Sequence, residues 1–136
     1  NASNVGLLAR NGYVEGKNVV INNCGQSSLA CTFGGSYEFT HCTFANYWAT
    51  PNHTCLLLNN YYELNSVEEI VPLVKADFKN CIFYGSSNLA LKNDLKGTNF
   101  NFLFDKCLIK FIDSNNFLHK LHTFSHNHGM TTNHCK

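Results

Sequence analysis

The sequence predicts an all-β solenoid: a single-stranded, right-handed parallel β-helix of about five coils. It reads as part of a longer chain that lacks at least its N-terminal end. Three observations carry this expectation. A four-residue pattern ending in cysteine recurs along the chain. The apolar segments are short and β-rich, without the 3.6-residue periodicity of helices. Gly, Asn and Ser punctuate those segments at close intervals.

The recurring pattern runs apolar, polar, polar, Cys. It appears as Ile21-Asn22-Asn23-Cys24, Phe39-Thr40-His41-Cys42, Phe78-Lys79-Asn80-Cys81 and Phe104-Asp105-Lys106-Cys107. The steps between these cysteines are 18, 39 and 26 residues. The middle step reads as two coils, with Cys55-Leu56-Leu57-Leu58-Asn59-Asn60 as a degenerate coil inside it. A period near 20 residues marks a solenoid. Leucine-rich repeats are excluded because Leu-x-x-Leu-x-Leu is absent.

Taken in order, Val19 to Ile21, Leu29 to Phe33, Tyr37 to Phe39, Leu89 to Leu91 and Phe100 to Phe104 read as strands. Gly34-Gly35-Ser36 and Gly85-Ser86-Ser87 read as bends. Asn at a bend adopts the left-handed conformation at low cost and bonds the neighbouring coil. Residues 59–73 break the repeat as an insertion. The coils occupy residues 1–112, and residues 113–136 form an irregular His-rich tail or partial cap.

Composition fits this reading. Of the 136 residues 44% are hydrophobic and only 14% charged, and the formal net charge is +1. That balance excludes a nucleic-acid footprint. No apolar run approaches the ~20 residues of a membrane-spanning helix. Seven cysteines is an odd number, and none forms a Cys-x-x-Cys pair. This is neither a disulfide framework nor a zinc ribbon. Cys24, Cys42, Cys81 and Cys107 are expected to stack as buried, reduced thiols in an inward ladder, where small soft side chains pack well.

The segments Gly34 to Trp48, Phe78 to Ser86 and Phe102 to Leu108 resemble coils of right-handed β-helix repeat proteins of the Bacteroidetes cell envelope. The resemblance covers roughly residues 5–112 and extends to the pectate-lyase-like fold. It implies an exported bacterial protein of lipoprotein type, at the cell surface, outer-membrane-associated or periplasmic. The implied partners are the rest of its own chain or other subunits of a surface assembly. It implies no active site.

Three chemistries were weighed on the residues themselves. Catalysis of lyase or glycosidase type needs clustered carboxylates, with a basic side chain beside them for a lyase. Only nine acids exist. Glu68-Glu69 lies in the insertion, and Asp77 and Asp105 read as rim residues. No catalytic residue and no cofactor is assigned. Metal binding would fall to His119, His122, His126 and His128, with His134 and Cys135 nearby, although their spacing matches no zinc pattern. Sugar binding would use Tyr47, Trp48, Tyr61, Tyr62 and Tyr84 as stacking faces, with Asn46, Asn59 and Asn60 as amides. The expected function is therefore a non-catalytic scaffold or interaction surface, with polysaccharide as a candidate ligand. The alternative is part of a polysaccharide lyase or glycoside hydrolase. A carboxylate cluster beside Lys or Arg on one flank favours the enzyme, and an aromatic or featureless flank favours the module.

Overall fold

The computed structural model describes residues 2–49, 52–87, 90–97 and 99–110. Within them, regular structure is all strand. The chain makes its first pass as β1 (Val5–Arg10), β2 (Tyr13–Lys17) and β3 (Val20–Asn22). The second pass is β4 (Ser27–Thr32), β5 (Gly35–Thr40) and β6 (Thr43–Asn46). The third is β7 (Thr54–Asn59), a hairpin of β8 (Tyr61–Leu64) and β9 (Val67–Ile70), then β10 (Leu73–Lys79) and β11 (Ile82–Gly85). The fourth is β12 (Leu91–Asp94), β13 (Leu103–Asp105) and β14 (Leu108–Ile109).

These passes build three parallel sheets. The first has the order β1-β4-β7-β12, the second β13-β10-β5-β2 and the third β14-β11-β6-β3. The chain visits them in strict rotation, which is compatible with a parallel β-helix. Register is continuous from pass to pass: Val20, Thr43, Ile82 and Leu108 are aligned, as are Gly16, Phe39, Phe78 and Phe104.

Register corrects the repeat read from the sequence. Four passes, not five, are present among the described residues. The long middle step is one pass lengthened by the antiparallel hairpin, so Cys55 to Asn60 is no separate coil. Asn65 and Ser66, both at positive φ (52° and 61°), make its two-residue turn of the type that suits strand twist. The insertion expected at residues 59–73 is this hairpin and its flanks. Cys24 is also displaced from its expected column. The position equivalent to Cys42, Cys81 and Cys107 in the first pass is Val19, because Lys17 aligns with Thr40. Cys24 sits one bend later, bridging Ala2.

The bend between the second and third sheets explains the polar residue before each ladder cysteine. Asn18, His41, Asn80 and Lys106 all adopt φ between 52° and 56°. Asn tolerates this left-handed conformation, and its recurrence sets the turn.

The interior is an aromatic stack. Phe39, Phe78 and Phe104 lie nearly parallel, with centroids 5.7 and 5.1 Å apart. Phe44 and Phe83 form a second column at 5.3 Å. The columns meet edge to face at 5.3 to 5.8 Å. That arrangement aligns positive ring edges with negative faces. Leu29, Leu56 and Leu91 line the facing sheet. Gly16 takes the phenylalanine position in the first pass because a Cβ there would lie 2.5 Å from the Phe39 ring.

Replacing Phe78 by Ala removes the middle ring of the stack and leaves a cavity bounded by Phe39, Phe83 and Phe104. Denaturant unfolding is expected to show a loss of about 3–5 kcal/mol. A loss under about 1 kcal/mol would mean the stack is not the core.

Candidate functional site

In-register stacking places like positions in columns, so each outer flank is a small set of residue rows. The third sheet presents the apolar flank. Val20, Ile82 and Leu108 stand in one column with Thr43, and are 69%, 40% and 38% exposed. Tyr84 stands beside them, 41% exposed, in register with Ala45. The Lys110 ammonium lies 5.3 Å from the Tyr84 ring centroid and donates to the Gly85 carbonyl at 2.6 Å.

Tyr47 and Trp48 follow β6 at the end of this flank. Tyr47 is exposed and Trp48 half-buried. Asn46, expected to offer its amide to a ligand, is fully buried and committed. Its Oδ1 accepts from the Cys24 and Trp48 backbone N–H groups at 3.1 and 3.3 Å. Its Nδ2 donates to the Cys24 and Thr54 carbonyls at 2.8 and 2.9 Å. Asn46 therefore closes the bend and is unavailable to a sugar. A buried amide finds partners because leaving it unpaired is costly.

Tyr61 and Tyr62 lie elsewhere, at the hairpin base between the first and second sheets. The Tyr61 hydroxyl donates to Asp94 Oδ2 at 2.8 Å, and Lys96 Nζ lies 3.8 Å from its ring centroid. The bond to Asp94 pushes the Tyr61 pKa up. Lys96 also pairs with Glu68 of the hairpin. Tyr62 packs on Phe33 at 5.3 Å, and the Arg10 guanidinium lies 5.4 Å from Phe33. Asn60 is fully buried: its Nδ2 donates to the Lys96 carbonyl at 2.8 Å and its Oδ1 accepts from the Lys96 N–H at 2.7 Å. Asn59 Oδ1 accepts from the Phe33 and Tyr61 N–H groups. These residues fasten the hairpin to its neighbours. The eight aromatic and amide candidates therefore divide between two places: Asn46, Tyr47, Trp48 and Tyr84 on the third sheet and its bend, Asn59, Asn60, Tyr61 and Tyr62 at the hairpin.

The second sheet carries a flank missed in the sequence. Glu15, Glu38 and Asp77 align in one column. Lys17 pairs with Glu15 at 2.7 Å, and Lys75 bridges Glu38 at 2.6 Å and Asp77 at 3.6 Å. The signal was available: each acid directly precedes the Gly16, Phe39 or Phe78 position. Asp105, by contrast, aligns with Lys79 and not with Asp77. Bonding to Lys17 holds Glu15 below the ordinary carboxylate range. The same pairing raises Lys17, and bonding to Glu38 raises Lys75.

The inner cysteines have the surroundings of packing groups. Cys24, Cys42 and Cys81 are 1% exposed, and Cys107 is half-buried. Burial pushes Cys31 and Cys42 up, and Cys55 to about 11. Among the described residues, no group of three or more His, Cys, Asp or Glu is arranged to hold a metal ion. His119, His122, His126 and His128, with His134 and Cys135, lie outside the described residues. Among the described residues, no helix is long and apolar enough to cross a membrane.

No protein-family model, curated protein or solved structure matches the chain.

Asn46→Ala deletes the amide that serves four backbone groups at one bend. A loss of about 3 kcal/mol in denaturant unfolding is expected, since each buried orphaned group costs about 1–3 kcal/mol. Tyr47→Ala, at the exposed neighbour, is expected to change stability by less than about 0.5 kcal/mol.

Proposed function

We propose that the four passes wind as one right-handed parallel β-helix, and that it serves as a non-catalytic module offering a rigid contact surface. The handedness follows the rule that parallel crossovers are right-handed in about 98% of cases. The observation that carries the functional reading is the third-sheet flank. It is uncharged along one column, with Val20, Ile82 and Leu108 exposed there beside Thr43, and with Tyr84 exposed in the next column. Contiguous exposed apolar surface marks interaction sites. Polysaccharide is the proposed ligand class, with Tyr84, Tyr47 and Trp48 as stacking faces. Other subunits of a surface assembly are the alternative occupants. Placement in a bacterial envelope rests on the resemblance of residues 34–48, 78–86 and 102–108 to envelope β-helix coils.

A second reading draws on the second-sheet flank. Its three stacked carboxylates beside lysines are the feature that favours a polysaccharide lyase or glycoside hydrolase. The electrostatics speak against it. A general acid needs a raised pKa and a lysine base a lowered one. Glu15 is lowered, and Lys17 and Lys75 are raised. These groups are held in their charged, paired forms, which suits a solvated charge ladder.

Two assays separate the readings. On a glycan array the wild type is expected to bind a defined subset that Tyr84→Ala loses by about tenfold or more, as removal of a stacking face worth roughly 1.4 kcal/mol requires. Binding unchanged by Tyr84→Ala and by Trp48→Ala would overturn the aromatic site. In a polysaccharide panel read for new reducing ends and unsaturated products, no turnover is expected. Turnover abolished by Lys75→Ala would establish the enzyme instead.

A further inference from the structure

Cys42, Cys81 and Cys107 occupy the same bend of three successive passes. Backbone bonds lock their register: the Ile82 N–H donates to the Cys42 carbonyl, and the Leu108 N–H to the Cys81 carbonyl, each at 2.9 Å. The thiols share one orientation. Each donates to the carbonyl two residues before it, Thr40, Lys79 or Asp105, at 3.3 to 3.4 Å. Each also donates to the preceding pass, at Gly16, Phe39 or Phe78, at 3.3 to 3.6 Å. Adjacent strands lie ~4.8 Å apart. A disulfide needs Cα atoms about 4.4–6.8 Å apart. Neighbouring thiols of this column therefore reach each other by side-chain rotation and a small closure.

The members differ in access. Cys42 and Cys81 are sealed inside, whereas Cys107 is half-buried. They differ in ionisation too. The interaction between the two neighbouring thiols lowers Cys107 and raises Cys81. The accessible sulfur is the one that an oxidant reaches first, and its partner lies buried at the same bend of the adjacent pass.

We infer that Cys107 and Cys81 are a peroxide-responsive pair, in which Cys107 is oxidised first and Cys81 resolves it to a disulfide. The Cys107 thiolate attacks one oxygen of hydrogen peroxide. The O–O bond breaks, and the departing hydroxide takes a proton and leaves as water. Cys107 is now a sulfenic acid. The Cys81 sulfur attacks it, the S–S bond forms, and the S–O bond breaks. The second hydroxide leaves as water with the Cys81 proton. Two thiols have lost two electrons and two protons, and one peroxide has become two waters. The product ties the fourth pass to the third. That pass has the shortest strands, three residues in β13 and two in β14.

The test uses the full chain. The protein is treated with hydrogen peroxide, quenched, denatured, alkylated with iodoacetamide and mapped by mass spectrometry. The expected product is a peptide pair joined through Cys81 and Cys107, absent before oxidation. In Cys81→Ser, dimedone is expected to label Cys107 several-fold more than in the wild type, because the sulfenic acid has lost its resolving partner. Full alkylation of Cys107 after peroxide would overturn the proposal. So would a crosslink from Cys107 to Cys42 or Cys135, or dimedone labelling first at another cysteine. The mapping is made on the wild type, so it stands whether or not the variant folds.

Discussion

Parallel hydrogen bonding between successive passes decides which side chain lies over which, and the remaining features of the molecule follow from that register. A β-strand shows alternate residues to opposite faces. Parallel passes in register add that each position repeats against its own counterpart in the next pass. Any residue chosen for the interior must therefore pack against a copy of its own position. Planar rings meet this demand well, because an offset or parallel stack at the strand spacing keeps them in contact without a change of rotamer. Phe39, Phe78 and Phe104 satisfy it directly. Gly16 shows the limit, since its close approach to the Phe39 ring leaves no room for a side chain.

The same rule acts outside, where it works against charge. Glu15, Glu38 and Asp77 are brought into one column by the register that stacks the rings. Like charges opposite one another destabilise a sheet. Lys17 and Lys75 offset this by pairing within and across the rows. Each pair is open to solvent, which screens its attraction. Their importance lies in removing a repulsion, not in adding an attraction. The third sheet meets no such problem. Its outward column of Val20, Thr43, Ile82 and Leu108 is uncharged, so repetition leaves a strip that is apolar except at Thr43.

The sequence exposed the all-strand, largely parallel character of the chain and its bend chemistry, and it misled on register. The pattern Phe-x-Asn-Cys around Cys81 is legible because ring, left-handed turn and small inner group each have a distinct residue type. At Cys24 the same letters arise by coincidence at a different bend, and the true first-pass counterpart is Gly16-Lys17-Asn18-Val19. Gly for Phe and Val for Cys hide the equivalent position, and at Gly16 the Phe39 ring fills the space that a side chain would take. The count of coils failed for a related reason. A hairpin inserted between β7 and β10 lengthens one pass without altering its register, and spacing alone does not separate an insertion from an extra turn. The site was legible only in part. Tyr84 and Tyr47 were found as exposed rings, but exposure of an amide is a tertiary property. Asn46 and Asn60 look like surface donors in the chain and are both fully buried. The carboxylate column required the register before it became visible.

The occurrence of cysteine at the inner bend follows from the same packing demand. Val19 shows that volume alone satisfies the position. What cysteine adds is a weak donor facing two carbonyls, one in its own pass and one in the pass before. A hydroxyl would donate more strongly, but burying it carries a larger desolvation cost. The thiol is apolar enough for the core and polar enough to soften the carbonyl environment. Repetition then has a chemical consequence that packing does not require. Three groups chosen one at a time for size are placed in a row on successive passes. Where the row stays buried, as at Cys42, desolvation keeps the thiol protonated and unreactive. At Cys107 the row is partly exposed, and the interaction with Cys81 lowers the thiol pKa. Along the described row the thiols thus differ in access and not in residue type, and access is what a ladder position sets.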